Sequence, residues 1–342
     1  VNRVPIASFL EKASEVPLLD VRSPAEYAAG HIPNAVSFPL FSNHERSEVG
    51  TIYKQQGSQV AIIRGLEIIG PKMADFIREA QKLNADSFAL YCWRGGMRSE
   101  SMAWLLSQYG LHTHVLEGGY KAFRNHIIEF FNQPMLLRVI TGNTGSKKTL
   151  LLNELKRKGE QVIDLEGLAN HQGSSFGKYK EGYKPETEHF QNLLFEACRD
   201  FDLGRHIWVE DEGIRIGQVI VIDGLYRQMQ KSPRYVIDIE RDERLDYLVD
   251  EYGKLSNDQL IEATHAIRKK LGFDHADEAI RLIEANELRE AASIILVYYD
   301  KKYQLSISER EAQIHGRFTG SLNDLSTLAD QLIQSKSTTY AV

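Results

Sequence analysis

The chain has 342 residues, of which 42% are hydrophobic and 26% charged, enough apolar material for full cores; disordered, collagen-like and low-complexity readings are excluded. Its 41 Lys and Arg against 47 Asp and Glu give a net charge of −6, which argues against a globally basic nucleic-acid coat and leaves only a local basic channel open. No apolar run reaches the roughly 18 residues of a membrane helix and the first residues lack a signal-peptide core, so a cytoplasmic protein with no membrane partner is expected.

In chain order, the apolar segments VPLLDV (16–21), SFALYC (87–92) and THVLEG (113–118) alternate with the helical patterns PKMADFIREAQKLN (71–84) and SESMAWLLSQYG (99–110). That alternation predicts an α/β fold with a parallel sheet and helices on its faces. After FFNQP (130–134) the pattern restarts with a strand, MLLRVITG (135–142), and a helix, KKTLLLNELKRKG (147–159). The domain boundary therefore falls near Gln133, giving domains 1–133 and 134–342, in line with the usual domain size. Further strands are expected at QVIDL (161–165), HIWVED (206–211), RYVIDIE (234–240) and SIILVYY (293–299), with a helical insertion over 242–289. Tyr299 and Asp300 read as core and cap, and the polar tail after Ile333 reads as frayed.

Two cysteines, Cys92 and Cys198, are too few for a disulfide framework and lack the clustered spacing of a zinc site. Any thiol chemistry rests on one residue. In YCWRGGMRSES a strand ends at Cys92 and a helix begins near Ser99, so backbone N–H groups and the helix dipole favour an anion there. Arg94 and Arg98 flank the sulfur, and Gly95 and Gly96 let the loop wrap an anion closely. Cys92 is the candidate nucleophile, with these four residues as its anion cradle. Cys198 lies on an amphipathic helix without such neighbours and reads as core. The spacing of Cys92 and Arg98 also fits the Cys-x5-Arg of cysteine phosphatases, which stays open as a second chemistry.

GNTGSKKT (142–149) follows a strand and opens a helix, the context of a Walker A loop. Gly142, Lys148 and Thr149 fit the pattern, with Asn143, Thr144, Gly145 and Ser146 supplying backbone to phosphates. Lys147 replaces the second glycine, which puts ordinary nucleotide hydrolysis in doubt and adds a cation; phosphate binding remains expected. WVEDEG (208–213) ends an apolar strand, so Glu210, Asp211 or Glu212 is either a metal or water partner of this loop or a solvated strand end. His171, Ser174, Ser175 and Phe176 follow a predicted strand end, where ligands collect in α/β sheets, and are substrate-site candidates.

LLDVRSPAEYAAGHIPNAVSFP (18–39) and LEGGYKAFR (116–124), flanking Cys92 in the chain, resemble the motifs of rhodanese-type sulfurtransferases. Asp20, Arg22 and His31 within them read as loop-tying residues. A rhodanese-like domain followed by a P-loop NTPase-like α/β domain resembles the tRNA 2-selenouridine synthase family, which is also a tRNA 2-thiouridine geranyltransferase. The likeness extends over NHERSEVGTIYKQQG (43–57), CWRGGMRS (92–99), DLEGLANHQGSSFG (164–177), WVEDEGIRIG (208–217) and LVYYDKKY (296–303), and spans roughly residues 16–305. Lys147, Gly213, Ile214 and Asp223 depart from the family pattern.

The resemblance implies a transferase that acts at the wobble uridine of tRNA. Geranyl diphosphate alkylates the sulfur of 2-thiouridine; selenophosphate then supplies selenium as the geranylated sulfur leaves, with a selenophosphate-supplying enzyme as a partner. Lys148 and Thr149 would hold the diphosphate, with Mg2+ as a candidate companion, and Cys92 would act in the selenium step. Candidate tRNA contacts are Arg46 and Lys54 in the first domain and Arg268, Lys269 and Lys270 in the second, although basic residues on a helix commonly form a solvated face. The alternatives are a sulfurtransferase or cysteine phosphatase with a regulatory nucleotide-binding domain, and a non-enzymatic nucleotide switch.

Overall fold

A computed structural model describes residues 1–171 and 184–335. The chain divides into two compact units, one of 1–132 with Glu186–Glu196, the other of Gln133–Pro185 with Ala197–Val342. The division falls beside Gln133, with one difference from the sequence expectation: Glu186–Glu196 pack with the first unit.

The first unit runs β1 (Asn2–Val4), α1 (Ile6–Glu15), β2 (Leu18–Asp20), α2 (Pro24–Ala29), β3 (Val36–Ser37), α3 (Asn43–Gln56), α4 (Ser58–Ile69), α5 (Met73–Gln81), β4 (Ser87–Tyr91), α6 (Met97–Gln108), β5 (His112–Leu116) and α7 (Gly119–Asn132). Its parallel sheet has the order β1-β5-β4-β2-β3, so β4 is central. Phe88, Ala89, Leu90 and Tyr91 of β4 are all buried, the continuous apolar reading of a strand covered on both faces. Its neighbours β5 and β2 lie on opposite sides, and the loop after β4 opens at the switch point where ligands bind in such sheets.

The second unit contains β6 (Leu136–Gly142), α8 (Lys148–Arg157), β7 (Gln161–Ile163) and α9 (Leu165–Leu168). Helix α10 (Thr187–Cys198) comes next in the chain and belongs to the first unit as far as Glu196; then follow β8 (His206–Glu210), the short antiparallel pair β9 (Arg215–Ile216) and β10 (Val219–Ile220), α11 (Asp223–Lys231) and β11 (Arg234–Ile239). A helical layer of α12 (Arg241–Tyr252), α13 (Asn257–Leu271), α14 (Phe273–Glu284) and α15 (Leu288–Ser308) precedes β12 (Ile314–Gly320) and α16 (Leu325–Gln334). The parallel order β12-β11-β6-β8-β7 again makes the strand before the functional loop the central one.

Two expectations are corrected here. SIILVYY is not a strand: it lies inside α15, where Ala291, Ile295 and Leu296 are buried against the helical layer. A short apolar run has no decisive period, and the helix-forming flanks decide it. The helical region accordingly reaches Ser308, and the fifth strand of the sheet is β12, whose half-buried IHGRFTG carries little apolar signal. Asp300 is no cap either, since it lies within α15 and pairs with Arg244 at 2.8 Å.

Candidate functional site

In the first unit, Cys92 directly follows β4 and is 3% exposed, packed in the cluster that includes Val21, Met102 and Ala103. Its polar neighbours are the Ser99 hydroxyl, which donates to Sγ at 3.2 Å and lies 3.1 Å from the Gly96 carbonyl. The loop is clamped by the first turn of α7: Tyr120 N–H donates to Cys92 O at 2.8 Å and Lys121 N–H to Trp93 O at 3.0 Å. Only glycine fits this contact. Gly119 has φ +60°, and a Cβ there would stand 2.4 Å from Cys92 O and 2.3 Å from the Gly95 nitrogen.

Of the predicted cradle, Gly95 and Gly96 form the loop and Arg94 is exposed, while Arg98 donates to Glu26 of α2 at 2.8 Å. Burial opposes the charge of Glu26, but the Arg98 guanidinium prevails and holds the carboxyl down at about 2. Asp20, Arg22 and His31 tie the surrounding loops. The fully buried Arg22 donates to Asp20 and, at 2.6 Å, to Gly30 O, and its guanidinium stacks 3.8 Å from the Tyr120 ring centre. From α10, Asn192 donates to Tyr120 Oη at 2.7 Å and to His31 O at 2.8 Å. Thus a segment distant in sequence buttresses the residues around the thiol loop.

In the second unit, residues 142–149 join β6 to α8 and border a cavity of about 800 Å3. Gly145, at φ +86°, lies directly against Leu248 and Arg244; a Cβ would approach them to 3.1 and 3.2 Å. Arg244 in turn donates to Thr144 O at 3.0 Å and is gripped by Asp300, so the helical layer fixes the loop. Lys147 adopts the left-handed conformation at φ 51°, ψ 38°, and extends its ammonium to 4.7 Å from the Tyr247 ring centre. Lys148 folds back to donate to Gly142 O at 3.0 Å. Gly142, Thr144, Gly145, Ser146, Lys147, Lys148 and Thr149 line the cavity; Asn143 is in the same loop, where its carbonyl accepts from Ser146 N–H.

The acidic strand end turns toward this loop. Thr149 Oγ1 donates to Glu166 at 3.1 Å and lies 3.4 Å from Glu210, which accepts from the Glu166 N–H at 2.7 Å. Complete burial, then repulsion from Glu166, Glu212 and Asp164, pushes the Glu210 carboxyl well up. Burial followed by the charge of Glu166 raises Glu212 to about 8, against the pull of Lys148. Asp211 also lines the cavity and is paired with Arg234 and Arg310 at 3.4 and 3.6 Å. His171 lines it too, while Ser174, Ser175 and Phe176 lie outside the described residues.

Sequence reasoning missed Glu166, Arg244 and the face of α15. Tyr299, Lys302, Tyr303 and Ser306, with Arg310 beyond the helix, all line the cavity, and the spacing of three to four residues was the available signal. Of the proposed tRNA contacts, Arg46 pairs with Glu26 at 3.7 Å, Arg268 pairs with Asp277 at 2.6 Å, and Lys54, Lys269 and Lys270 are exposed. Among the described residues no three His, Cys, Asp or Glu side chains form a metal site, and no helix is long and apolar enough to cross a membrane.

Fold and loops together define a class: a rhodanese-like unit carrying a loop cysteine, joined to a phosphate-loop unit. Residues 6–126 match the Rhodanese-like domain family, and residues 135–336 match the tRNA 2-selenouridine synthase AAA domain. The chain is 32% identical to the tRNA 2-selenouridine synthase of Shewanella pealeana, with 92% of this chain and 95% of that protein covered. It is 33% identical to that of Proteus mirabilis, with 92% and 94% covered, and 34% identical to that of a Sulfurovum species, with 79% and 75% covered. The chain belongs to the tRNA 2-selenouridine synthase family.

Proposed function

We propose that this chain is a cytoplasmic tRNA-modifying transferase that converts wobble 2-thiouridine to 2-selenouridine through an S-geranyl intermediate. What supports the reading is the presence in one chain of two strand-to-helix loops, each following a central strand, one with a thiol and one with paired lysines. In the first step the thiouridine sulfur attacks C1 of geranyl diphosphate; the C–O bond breaks, diphosphate leaves and the base gives up its N3 proton. Lys147, Lys148 and the loop N–H groups would stabilise the leaving diphosphate, the charge that develops in the transition state.

In the second step selenium from selenophosphate attacks C2, geranyl thiol leaves with a proton, and water takes the phosphoryl group as phosphate. Alkylation makes this possible by turning a poor leaving group into a better one. Cys92 would act here as nucleophile: its thiolate would add to C2 and expel geranyl thiol, and selenium would then displace it from C2 and restore the thiolate. A selenophosphate-supplying enzyme is then a natural partner. The residues also fit a magnesium ion brought in with the diphosphate: Thr149 Oγ1 with Glu166 or Glu210 would hold it, and it would offset the phosphate charge beside these carboxylates.

The ion pair between Arg98 and Glu26 weighs against the cysteine phosphatase alternative, which needs that guanidinium on a phosphoryl group. The test is to incubate the purified full chain with thiolated tRNA, geranyl diphosphate and selenophosphate, then digest and identify the nucleosides. Both geranylated and selenated uridine are expected; the absence of both overturns the reading.

A further inference from the structure

Beside the phosphate loop lies a second, smaller cavity of about 60 Å3, walled by apolar side chains of the helical layer, among them Val249, Leu260, Ile283, Ala291, Ala292 and Ile295. Thr144, Leu248, Tyr252 and Tyr299 border both this cavity and the large one, so the two adjoin across these four side chains. We propose that this small cavity seats the far end of an allylic diphosphate's chain, and that Ala292 and Ile295 set the chain length accepted. The proposal rests on the reading of residues 142–149 as a prenyl diphosphate site.

Three observations carry it. A ligand with its phosphates at Lys147 and Lys148 that continues past Thr144 and Leu248 meets almost only hydrocarbon, which suits an apolar chain. The ribose and base of a nucleotide would lose hydrogen bonds to water there without replacement. Next, the apolar lining offers water few hydrogen-bond partners, so an apolar chain end displaces only weakly held water there. Finally, the size discriminates: a cavity of about 150 Å3 accepts a benzene molecule, so about 60 Å3 accepts only a few carbons, the branched end of a chain whose remainder lies in the large cavity.

The walls come from separate helices. Leu248 and Val249 belong to α12, Leu260 to α13, Ile283 to α14, and Ala291, Ala292 and Ile295 to α15. Gly253, Ala291 and Ala292 are the smallest members of a lining otherwise rich in Leu and Ile, and the two alanines are those on α15. Ala292 is only half-buried, so a larger residue there intrudes on the cavity while keeping an outlet for strain. Ile295, buried in the layer, closes the space from the same helix.

The experiment offers dimethylallyl, geranyl and farnesyl diphosphates in parallel to the full-length protein and its Ala292→Leu and Ile295→Ala variants, with thiolated tRNA as acceptor. The prenylated nucleosides are identified by mass, and thermal unfolding confirms that each variant is folded. Ala292→Leu is expected to lower the geranyl-to-dimethylallyl ratio at least tenfold, and Ile295→Ala to raise the farnesyl-to-geranyl ratio at least tenfold. Folded variants that both keep the wild-type preferences, in a system where the wild type geranylates, overturn this proposal alone. A wild-type protein that transfers none of the three chains overturns the parent reading, and this one with it.

Discussion

Lys147 takes the left-handed backbone conformation and sets its ammonium 4.7 Å above the ring of Tyr247. The position that favours glycine in a Walker A loop thus keeps its backbone geometry while gaining a cation. A non-glycine residue pays about 1 kcal/mol for that conformation, and the cation–π contact returns about 0.5–1 kcal/mol. Lys147→Gly is therefore expected to change stability by less than about 1 kcal/mol, read from urea unfolding. In steady-state prenyl-transfer kinetics the same variant should raise KM for geranyl diphosphate severalfold; an unchanged KM would mean that this lysine is a tolerated departure with no part in phosphate binding.

Glu26 and Arg98 give a prediction about acid. Because the folded-state pKa of Glu26 lies at about 2, below its ordinary 4.5, its contribution to stability is present above pH 4.5 and is lost as pH falls toward 2. The pair is only partly buried, so screening reduces that contribution to about 1–2 kcal/mol. Chemical denaturation at pH 7 should show Glu26→Gln less stable by this amount, and the gap should narrow by more than half at pH 3. A gap that stays constant between the two would show that the ion pair is not its source.

Glu212 behaves in the opposite sense. Its folded pKa is raised to about 8, so its stabilising contribution is full below pH 4.5 and is lost as pH rises through 8. Thermal unfolding of the metal-free protein should therefore weaken between pH 6 and pH 9, and Glu212→Gln should flatten that slope, worth about 1–2 kcal/mol at pH 9. Parallel slopes for the two proteins would contradict the crowding of carboxylates around Thr149.

Arg244 ties the helical layer to the phosphate loop through Asp300 on one side and Thr144 O on the other. Removing Asp300 leaves a buried guanidinium without its counter-charge, which costs about 3 kcal/mol or more for a buried pair. Asp300→Ala should lower the unfolding midpoint and also reduce affinity for inorganic pyrophosphate, measured by calorimetry at a temperature where the variant remains folded. Undiminished pyrophosphate affinity would show that the loop keeps its shape without this support.

Much of this is legible in local sequence signals. Strand-loop-helix context and glycine spacing located Cys92 and residues 142–149, because both features are encoded within a dozen residues. What depended on distant packing was not legible. Nothing near Asn192 in the sequence shows that it reaches Tyr120, and Glu166 meets Thr149 only because β7 and β8 are neighbours in the sheet. SIILVYY misled for a related reason: an apolar stretch buried on a helix and one buried in a sheet look alike until their surroundings are known. Strand β12 was hidden by the polar residues that an edge position tolerates.

We assign the alkylation to the lysine-bearing loop and the later exchange to the thiol loop, on the same base. The most direct measurement is nucleoside analysis of thiolated tRNA after reaction with the Cys92→Ala protein, geranyl diphosphate and selenophosphate. The predicted result is accumulation of S-geranyl-2-thiouridine without 2-selenouridine. Loss of both products in a variant whose unfolding profile matches the wild type would contradict the assignment.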